Sequence, residues 1–170
     1  QPDADEKLLN LGNSQALNWL VEYVDKFIAK EKIDVYRQDF NFNPLMLWRA
    51  NDSNDRQGIT EILYVKGYLR YWDELLKRHP GILIDSCASG GRRNDLETLR
   101  RAVPLLRSDY VWQPVANQCH TYGISFLIPF YGTPFYADRG SMKINSYLFR
   151  SNMCPVITAG IDVRRKDIDY

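Results

Sequence analysis

The sequence predicts an α/β fold in which a parallel sheet is covered by helices. Short, nearly continuous apolar segments alternate with amphipathic segments along most of the 170 residues, and this alternation is typical of buried parallel strands joined by outer helices. Polar residues follow several of these strands, as they do at the sheet edges where α/β enzymes bind ligands. The length suits one domain with a substantial core, so we expect residues 1–170 to form a single domain.

The first half of the chain alternates strand, helix, strand and helix. Residues 8–12 form a short apolar run that we count as the first strand, and Asn13 is placed to cap the following helix. The segment IDVYRQDF is predicted to be a strand that ends at Asp39, followed by a polar loop over residues 41–57. A long helix is predicted over residues 59–78, because Pro80 disfavours helix in the residue before it.

Both helices carry apolar residues at helical spacing, which predicts one buried face on each. The predicted buried residues are Leu17, Leu20, Val21, Val24 and Ile28 in the first helix, Ile62, Val65, Leu69, Trp72 and Leu76 in the second, and Trp19 in addition.

The second half continues the same alternation. A strand over residues 82–87 leads into a glycine turn, and Asn94 could cap a short helix with Glu97 three positions further on. The next strand leads to Asp109, and a loop with Cys119 and His120 follows. A buried strand is predicted over residues 125–132, a helix over residues 141–151 and a last strand over residues 154–163.

Six strands in strict alternation with helices indicate a β/α barrel that is incomplete. A complete (β/α)8 TIM barrel usually needs about 250 residues, whereas this chain provides about six β/α units in 170 residues. We therefore predict a large part of a TIM barrel. An open doubly wound sheet is the alternative architecture.

Composition and charge argue against several classes of function. The net charge is +1 and no basic block is present, so neither nucleic acid nor an anionic membrane is an expected partner. No apolar run is long enough to span a bilayer, and the polar N-terminus predicts no signal peptide. The three cysteines match no zinc or paired-thiol pattern, which favours free thiols.

Polar side chains recur two residues apart at three strand ends. Because a strand alternates its side chains between two faces, Arg37 shares a face with Asp39, and Asp85 shares one with Cys87. Asp109 follows the next strand in the same way. The sequence thus predicts that carboxylates from separate strands converge on one site.

Two stretches of the chain, RQDFN at residues 37–41 and CASGGRRND at residues 87–95, carry recognisable motifs. They resemble motifs of the α-galactosidases of glycoside hydrolase family 36 and their clan relatives. The first stretch resembles the Lys-Trp-Asp-Met-Asn strand of that family, which carries its nucleophile. The stretch CASGGRRND at residues 87–95 resembles its Cys-x-Ser-Gly-Gly-Gly-Arg-Phe-Asp turn. The family's Trp-x-Ser-Asp segment, which carries the acid/base, falls by spacing on a segment that ends at Asp109. The likeness covers about residues 8–163 and implies the third to eighth strands of the barrel.

The resemblance implies a retaining α-glycosidase that acts on terminal α-galactosyl or related α-N-acetylgalactosaminyl residues through a covalent glycosyl-enzyme. Asp39 would be the nucleophile and Asp109 the acid/base, and retaining chemistry needs their carboxyls about 5–5.5 Å apart. Arg107 beside Asp109 would lower the pKa of that acid. The substrate-binding residues implied are Arg37, Asn41, Asp85, Cys87, Gly90, Gly91 and Arg93. No metal and no organic cofactor are implied.

Departures from the family pattern keep two other functions open. Arg37 and Gln38 replace the family's lysine and tryptophan, and Arg92 replaces its third glycine. The chain could therefore be a carbohydrate-binding barrel without turnover, or a barrel enzyme whose carboxylates bind a divalent cation. Expected partners are an oligosaccharide or glycoconjugate substrate, and the missing part of its own barrel or a homo-oligomer. The isolated chain is expected to be inactive, because an incomplete barrel exposes sheet edges and helix-packing surface.

Overall fold

The computed structural model describes residues 7–135, 146–162 and 164–167. The helices are α1 (Ser14–Glu31), α2 (Leu45–Ala50), α3 (Ile59–Arg78), α4 (Leu96–Leu99), α5 (Pro114–Ser125) and α6 (Ser146–Ser151). The strands are β1 (Val35–Asp39), β2 (Leu83–Cys87), β3 (Gly132–Phe135) and β4 (Val156–Ala159).

The strands form two two-stranded sheets, β1 with β2 and β3 with β4. The β3–β4 pair is parallel, with Gly132 opposite Val156 and Phe135 opposite Ala159. Hydrogen bonds at the two ends of the β1–β2 pair, from Leu83 N–H to the Asp34 carbonyl and from Phe40 N–H to the Cys87 carbonyl, advance in the same sense along both strands. That pair is therefore parallel as well.

An irregular segment, residues 103–107, takes the place of the predicted strand that leads to Asp109. Val103 forms an isolated parallel bridge with Asp85, and its carbonyl accepts a hydrogen bond from Ser86 N–H at 3.0 Å. On its other side, Gly132 N–H donates to the Pro104 carbonyl at 2.8 Å, and Arg107 N–H donates to the Gly132 carbonyl at 3.1 Å. The segment thus joins β2 to β3, which gives consecutive parallel neighbours of the kind that build a β/α barrel.

The chain divides into two compact units, which we describe separately. Unit 1 contains the chain up to Tyr36 together with Asn41–Ile84 and Leu96–Arg101, and unit 2 contains Arg37–Phe40, Asp85–Asp95 and the chain from Ala102 onward. In unit 1, α1 packs against α3. Asn13 caps α1 as predicted, because its side-chain oxygen accepts the N–H groups of Gln15 and Ala16.

The extent of α3 is confirmed, but its predicted buried face is only partly correct. Trp72 is buried as predicted, whereas Ile62 and Val65 are exposed. The buried residues of α3 are Tyr64, Gly67, Tyr68, Tyr71, Trp72 and Leu75. The buried face of α3 is mostly aromatic. The aliphatic residues at helical spacing were therefore a weaker indicator of burial than the aromatic residues. Trp19, expected in the core, is 59% exposed and stacks on Tyr23 with ring centroids 5.5 Å apart.

Other element boundaries also differ from the predictions. The polar loop over residues 41–57 contains α2, and the loop predicted around Cys119 and His120 is helix α5. The strand predicted over residues 125–132 begins only at Gly132, since α5 extends to Ser125. Residues 8–12 form no strand, and the count of six β/α units stays a prediction. Of the helix predicted over residues 141–151, the first five residues lie outside the described part of the chain.

Gly67 should be irreplaceable within α3, because a Cβ there would lie 2.0 Å from the Leu11 carbonyl oxygen. We expect Gly67→Ala to lower the free energy of unfolding by about 2 kcal/mol or more, as overpacked sites do. Gly123→Ala in α5 is the matched control, since nothing lies within 4 Å of its Cβ position and alanine is the better helix former by about 1 kcal/mol. Urea denaturation of both variants measures the difference, and equal midpoints would contradict the packing argument.

Candidate active site

The three aspartates that the sequence predicts at strand ends, here called the strand-end aspartates, all belong to unit 2 and differ sharply in exposure. Asp39, the last residue of β1, has a side chain that is 36% exposed, and Asp109, which follows residues 103–107, is also exposed. The side chain of Asp85 in β2 is only 6% exposed. Two carboxylates are therefore available to a ligand, whereas the third is enclosed by protein.

Asp85 cross-links three chain segments through its two carboxylate oxygens. One oxygen accepts a hydrogen bond from Arg37 Nη1 at 2.5 Å, and the other accepts from Leu105 N–H at 3.0 Å. Burial alone would lower the pKa of Arg37, but the hydrogen bond and negative charge of Asp85 outweigh it and raise that pKa. In the structure, both carboxylate oxygens of Asp85 have protein partners. Contact of Asp85 with a substrate stays a prediction.

Arg37 reaches Asp39 more weakly than it reaches Asp85. The distance from Arg37 Nη2 to Asp39 Oδ2 is 3.4 Å, compared with 2.5 Å for its contact with Asp85. The arginine thus serves mainly as the counterion of the buried carboxylate, and it borders the exposed one. Its side chain is itself 39% exposed, which leaves part of it open to a ligand.

The glycine turn, residues 87–91, lies beside Asp39. The Cys87 carbonyl accepts the N–H of Phe40 at 2.8 Å. Burial raises the pKa of the Cys87 thiol, and the nearby Asp39 carboxylate adds to the rise, whereas Gly90 N–H and the Arg37 cation oppose it. The Cys87 thiol is therefore protonated at neutral pH.

The glycine turn also lies against the backbone that carries Asp109. A Cβ at Gly90 would be 2.6 Å from the Asp109 backbone nitrogen, and one at Gly91 would be 2.4 Å from the Arg107 carbonyl oxygen. Gly90 and Ser89 both have positive φ values, 73° and 48°, which favour glycine at the first of these positions. Both glycines are thus required by the packing of backbone on backbone, and contact with a sugar stays a prediction for them.

Arg93 lies at the edge of this cluster. Arg93 Nη1 donates to the Phe40 carbonyl at 2.7 Å, and its guanidinium lies 4.1 Å from the centre of the Phe40 ring. Arg93 thereby fixes the residue that follows Asp39. Asn41 is exposed and belongs to unit 1.

Arg107 does not lie beside Asp109 as a counterion, contrary to the expectation from sequence. Its side chain is buried, and its Nη2 donates to the carbonyl and side-chain oxygens of Asn117 and to Thr121 Oγ1. Burial lowers the pKa of Arg107 itself. Sequence reasoning missed Asn117, because it treated this part of α5 as a loop. Pro114 at the first helical turn was the available signal for a helix start.

Two further features concern the whole of the described chain. Among residues 7–135, 146–162 and 164–167, no group of three or more His, Cys, Asp or Glu side chains could hold a metal ion. No helix within these ranges combines the length and the apolar character needed to cross a bilayer.

The fold and the motifs agree with comparison to known proteins. A family model described as Melibiase matches residues 3–136, and the chain therefore belongs to the melibiase family. An α-galactosidase of Lactobacillus acidophilus is 30% identical over 95 residues, which are 56% of this chain and 13% of that protein. Alpha-galactosidase 1 of Pediococcus pentosaceus is 26% identical over 128 residues, which are 75% of this chain and 17% of that protein.

Solved structures show the same fold. The glycoside hydrolase family 36 α-galactosidase AgaA of Geobacillus stearothermophilus, as a variant in complex with stachyose, matches with a TM-score of 0.79 at 21% identity over 97% of this chain. An α-galactosidase of Lactobacillus brevis matches with a TM-score of 0.75 at 20% identity. These enzymes have a TIM barrel. The chain covers 24% of each of these two structures and less than a fifth of the curated relatives above.

Loss of the Asp85 charge should destabilise the protein. Asp85→Asn removes the closer of the two carboxylates that pair with Arg37 and leaves one acceptor oxygen for the two donors, Arg37 Nη1 and Leu105 N–H, so we expect a loss of about 1–3 kcal/mol in the free energy of unfolding. Glu31→Gln is the matched control, because Glu31 forms an exposed pair with Lys30 and such pairs contribute little. Denaturant midpoints compare the two, and a midpoint for Asp85→Asn that equals the control would refute the cross-link.

Cys87 should resist alkylation at neutral pH. Because its pKa is raised and the residue is 2% exposed, little thiolate is available for reaction below pH 9. Cys119 is exposed and should be labelled first by iodoacetamide in the native protein. Peptide mass spectrometry between pH 7 and 10 follows both sites, and labelling of Cys87 at the rate of Cys119 at pH 7.5 would rule out an enclosed thiol with a raised pKa.

Proposed function

We propose that the protein hydrolyses terminal α-galactosyl residues with retention of configuration. The observation that carries the proposal is the environment of the three strand-end aspartates. Asp85 is buried and paired with Arg37, whereas Asp39 and Asp109 are exposed and border the same glycine turn. Membership of the melibiase family and the α-galactosidase relatives support this reaction class.

In the proposed first step, Asp39 acts as the nucleophile. Its carboxylate oxygen forms a bond to the anomeric carbon while the bond from that carbon to the leaving oxygen breaks. Asp109 in its protonated form gives its proton to the leaving oxygen, so the aglycone departs as a neutral alcohol. The product of this step is a galactosyl ester on Asp39.

In the second step, Asp109 works in the opposite direction. As a carboxylate it removes a proton from water, and the water oxygen attacks the anomeric carbon and displaces Asp39. Two inversions at one carbon leave the configuration unchanged. Asp109 ends the cycle protonated and Asp39 ends it ionised, so the enzyme is ready for another substrate.

The neighbours of Asp39 suit a nucleophile that must keep one orientation. Arg37 Nη2 lies 3.4 Å from its Oδ2, and the backbone N–H of the next residue, Phe40, donates to the Cys87 carbonyl at 2.8 Å. Arg93 fixes the next residue through the Phe40 carbonyl and ring. Groups that hold a nucleophile in its attack geometry lower the entropic part of the barrier.

The proposed substrate class is oligosaccharides with a terminal α-galactosyl group. Relatives of this fold have been crystallised with stachyose and with raffinose. Glycoconjugates that end in α-N-acetylgalactosamine are a related possibility within the same mechanism, since both sugars share the galactose configuration. Assays with both sugars on one aglycone separate these specificities.

Covalent trapping tests the assignment of the nucleophile directly. An activated fluoro-glycoside, such as a 5-fluoro-α-galactosyl fluoride, should label the full-length gene product that carries this sequence at Asp39, and peptide mass spectrometry identifies the site. The fluorine slows turnover of the ester, so the intermediate accumulates. Binding of the sugar without labelling would favour a carbohydrate-binding barrel, and labelling of another carboxylate would refute the assignment.

Removal of either carboxylate should abolish most of the activity. We expect Asp39→Asn and Asp109→Asn to lower kcat by on the order of 10³-fold or more on raffinose, because each removes a partner in bond making or proton transfer. Asp34→Asn is the matched control at an exposed aspartate of unit 1 and should keep normal rates. Full activity of either active-site variant would exclude the proposed mechanism.

A further inference from the structure

The loop that carries Asp109 has no regular sheet to hold it. The aspartate loop, residues 107–111, begins where the last backbone bond to β3 is made, from Arg107 N–H to the Gly132 carbonyl. Within the loop, Tyr110 N–H donates to Ser108 Oγ at 3.1 Å. The position of Asp109 therefore depends on contacts at the two ends of this loop.

A single buried side chain contacts both ends of the aspartate loop. Asn117 of α5 is 0% exposed, and its Oδ1 accepts a hydrogen bond from Arg107 Nη2 at 2.5 Å. Its Nδ2 donates to the Val111 carbonyl at 3.3 Å. Asp109 lies midway between these two anchored residues, two positions from each.

The surroundings of Asn117 make its side chain difficult to move. Asn117 Nδ2 also donates to Asn152 Oδ1, and Asn152 Nδ2 donates to the Leu148 carbonyl of α6 at 2.7 Å. Both asparagines are fully buried. A buried amide with satisfied donors and acceptors keeps one orientation, since rotation would leave polar groups without partners.

The network is costly, which argues against a purely packing role. Arg107 is a buried cation, and its Nε and Nη1 have no hydrogen-bond partner within the described residues. An apolar pair of similar volume would usually be as stable or more stable at such a place. This polar network lowers stability and lies on both sides of an exposed carboxylate. Its position therefore favours a role in fixing the geometry of that carboxylate.

We infer that Asn117 is a positioning residue for the acid/base, because its side-chain amide holds Arg107 and Val111 and so fixes the Asp109 carboxylate between them. The inference rests on the proposed role of Asp109. Asn117 touches neither the substrate nor the reacting atoms. Substitution of Asn117 should therefore slow only the step in which Asp109 transfers a proton.

The test compares two substrates that differ in their need for acid assistance. Hydrolysis of raffinose requires protonation of a poor leaving group, whereas α-galactosyl fluoride loses fluoride with little assistance. In the full-length gene product, Asn117→Asp keeps an acceptor for Arg107 but loses the donor to Val111. We expect kcat/KM to fall about 10²-fold on raffinose and to change less than about threefold on the fluoride.

Thr121→Val is the matched control, because Thr121 accepts from the same Arg107 Nη2 without contacting Val111. It should change the ratio of the two kcat/KM values little. Titration with the fluoro-glycoside gives the fraction of active enzyme, so partial unfolding is separated from misplacement of the acid. An equal loss on both substrates for Asn117→Asp would overturn the positioning role.

Two further outcomes are also decisive. If Asn117→Asp does not fold, Asn152→Ala removes one partner of the Asn117 amide and should show the same discrimination more weakly, about five- to tenfold, and a uniform loss there overturns the inference. If the unaltered protein neither hydrolyses raffinose nor reacts with the fluoro-glycoside, the proposed function fails and the inference fails with it. Activity of the unaltered protein with a uniform loss in the variants refutes the positioning role alone.

Discussion

The ion pair between Asp85 and Arg37 is the interaction on which the rest of the site depends. One carboxylate oxygen holds the arginine of β1, and the other holds the backbone of the segment that leads to Asp109. Because the carboxylate is buried, its two bonds are strong and directional, and loss of either would leave a buried charge unsatisfied. A single side chain thus sets the spacing between the chain segments that carry the two exposed aspartates.

This arrangement places three similar residues in different environments. Burial and a cation enclose Asp85, whereas Asp39 and Asp109 are exposed. The glycine turn contacts the backbone beside both exposed aspartates, because the Cys87 carbonyl accepts the N–H of Phe40 and the two glycines pack against the backbone of Asp109 and Arg107. A Cβ at Gly90 would lie 2.6 Å from the Asp109 backbone nitrogen, so the position of that backbone depends on the absence of a side chain there.

The sequence predicted the parts of the fold that rest on local physics. The cap at Asn13 and the ends of α3 were confirmed, because capping and proline act within a few residues. The predicted buried face of α3 was correct at Trp72 and wrong at Ile62 and Val65, since burial depends on which neighbours pack against the helix. The strand before Asp109 was expected to be regular, but its pairing with β3 ends at Arg107. Arg107 was expected beside Asp109, and only the tertiary structure shows that α5 takes its guanidinium.

The irregular backbone of the loop that carries Asp109 and the buried polar network around Asn117 are connected. Asp109 lies beyond the last backbone hydrogen bond to β3, which Arg107 N–H makes, so its loop lacks the backbone support that a sheet provides. Side chains must then supply the order that the sheet no longer gives. Asn117 can do so because an amide has both a donor and an acceptor, so it can bind the side chain of Arg107 and the carbonyl of Val111 together. A carboxylate or a hydroxyl at that position would satisfy one end of the loop less well, and an aliphatic side chain would satisfy neither.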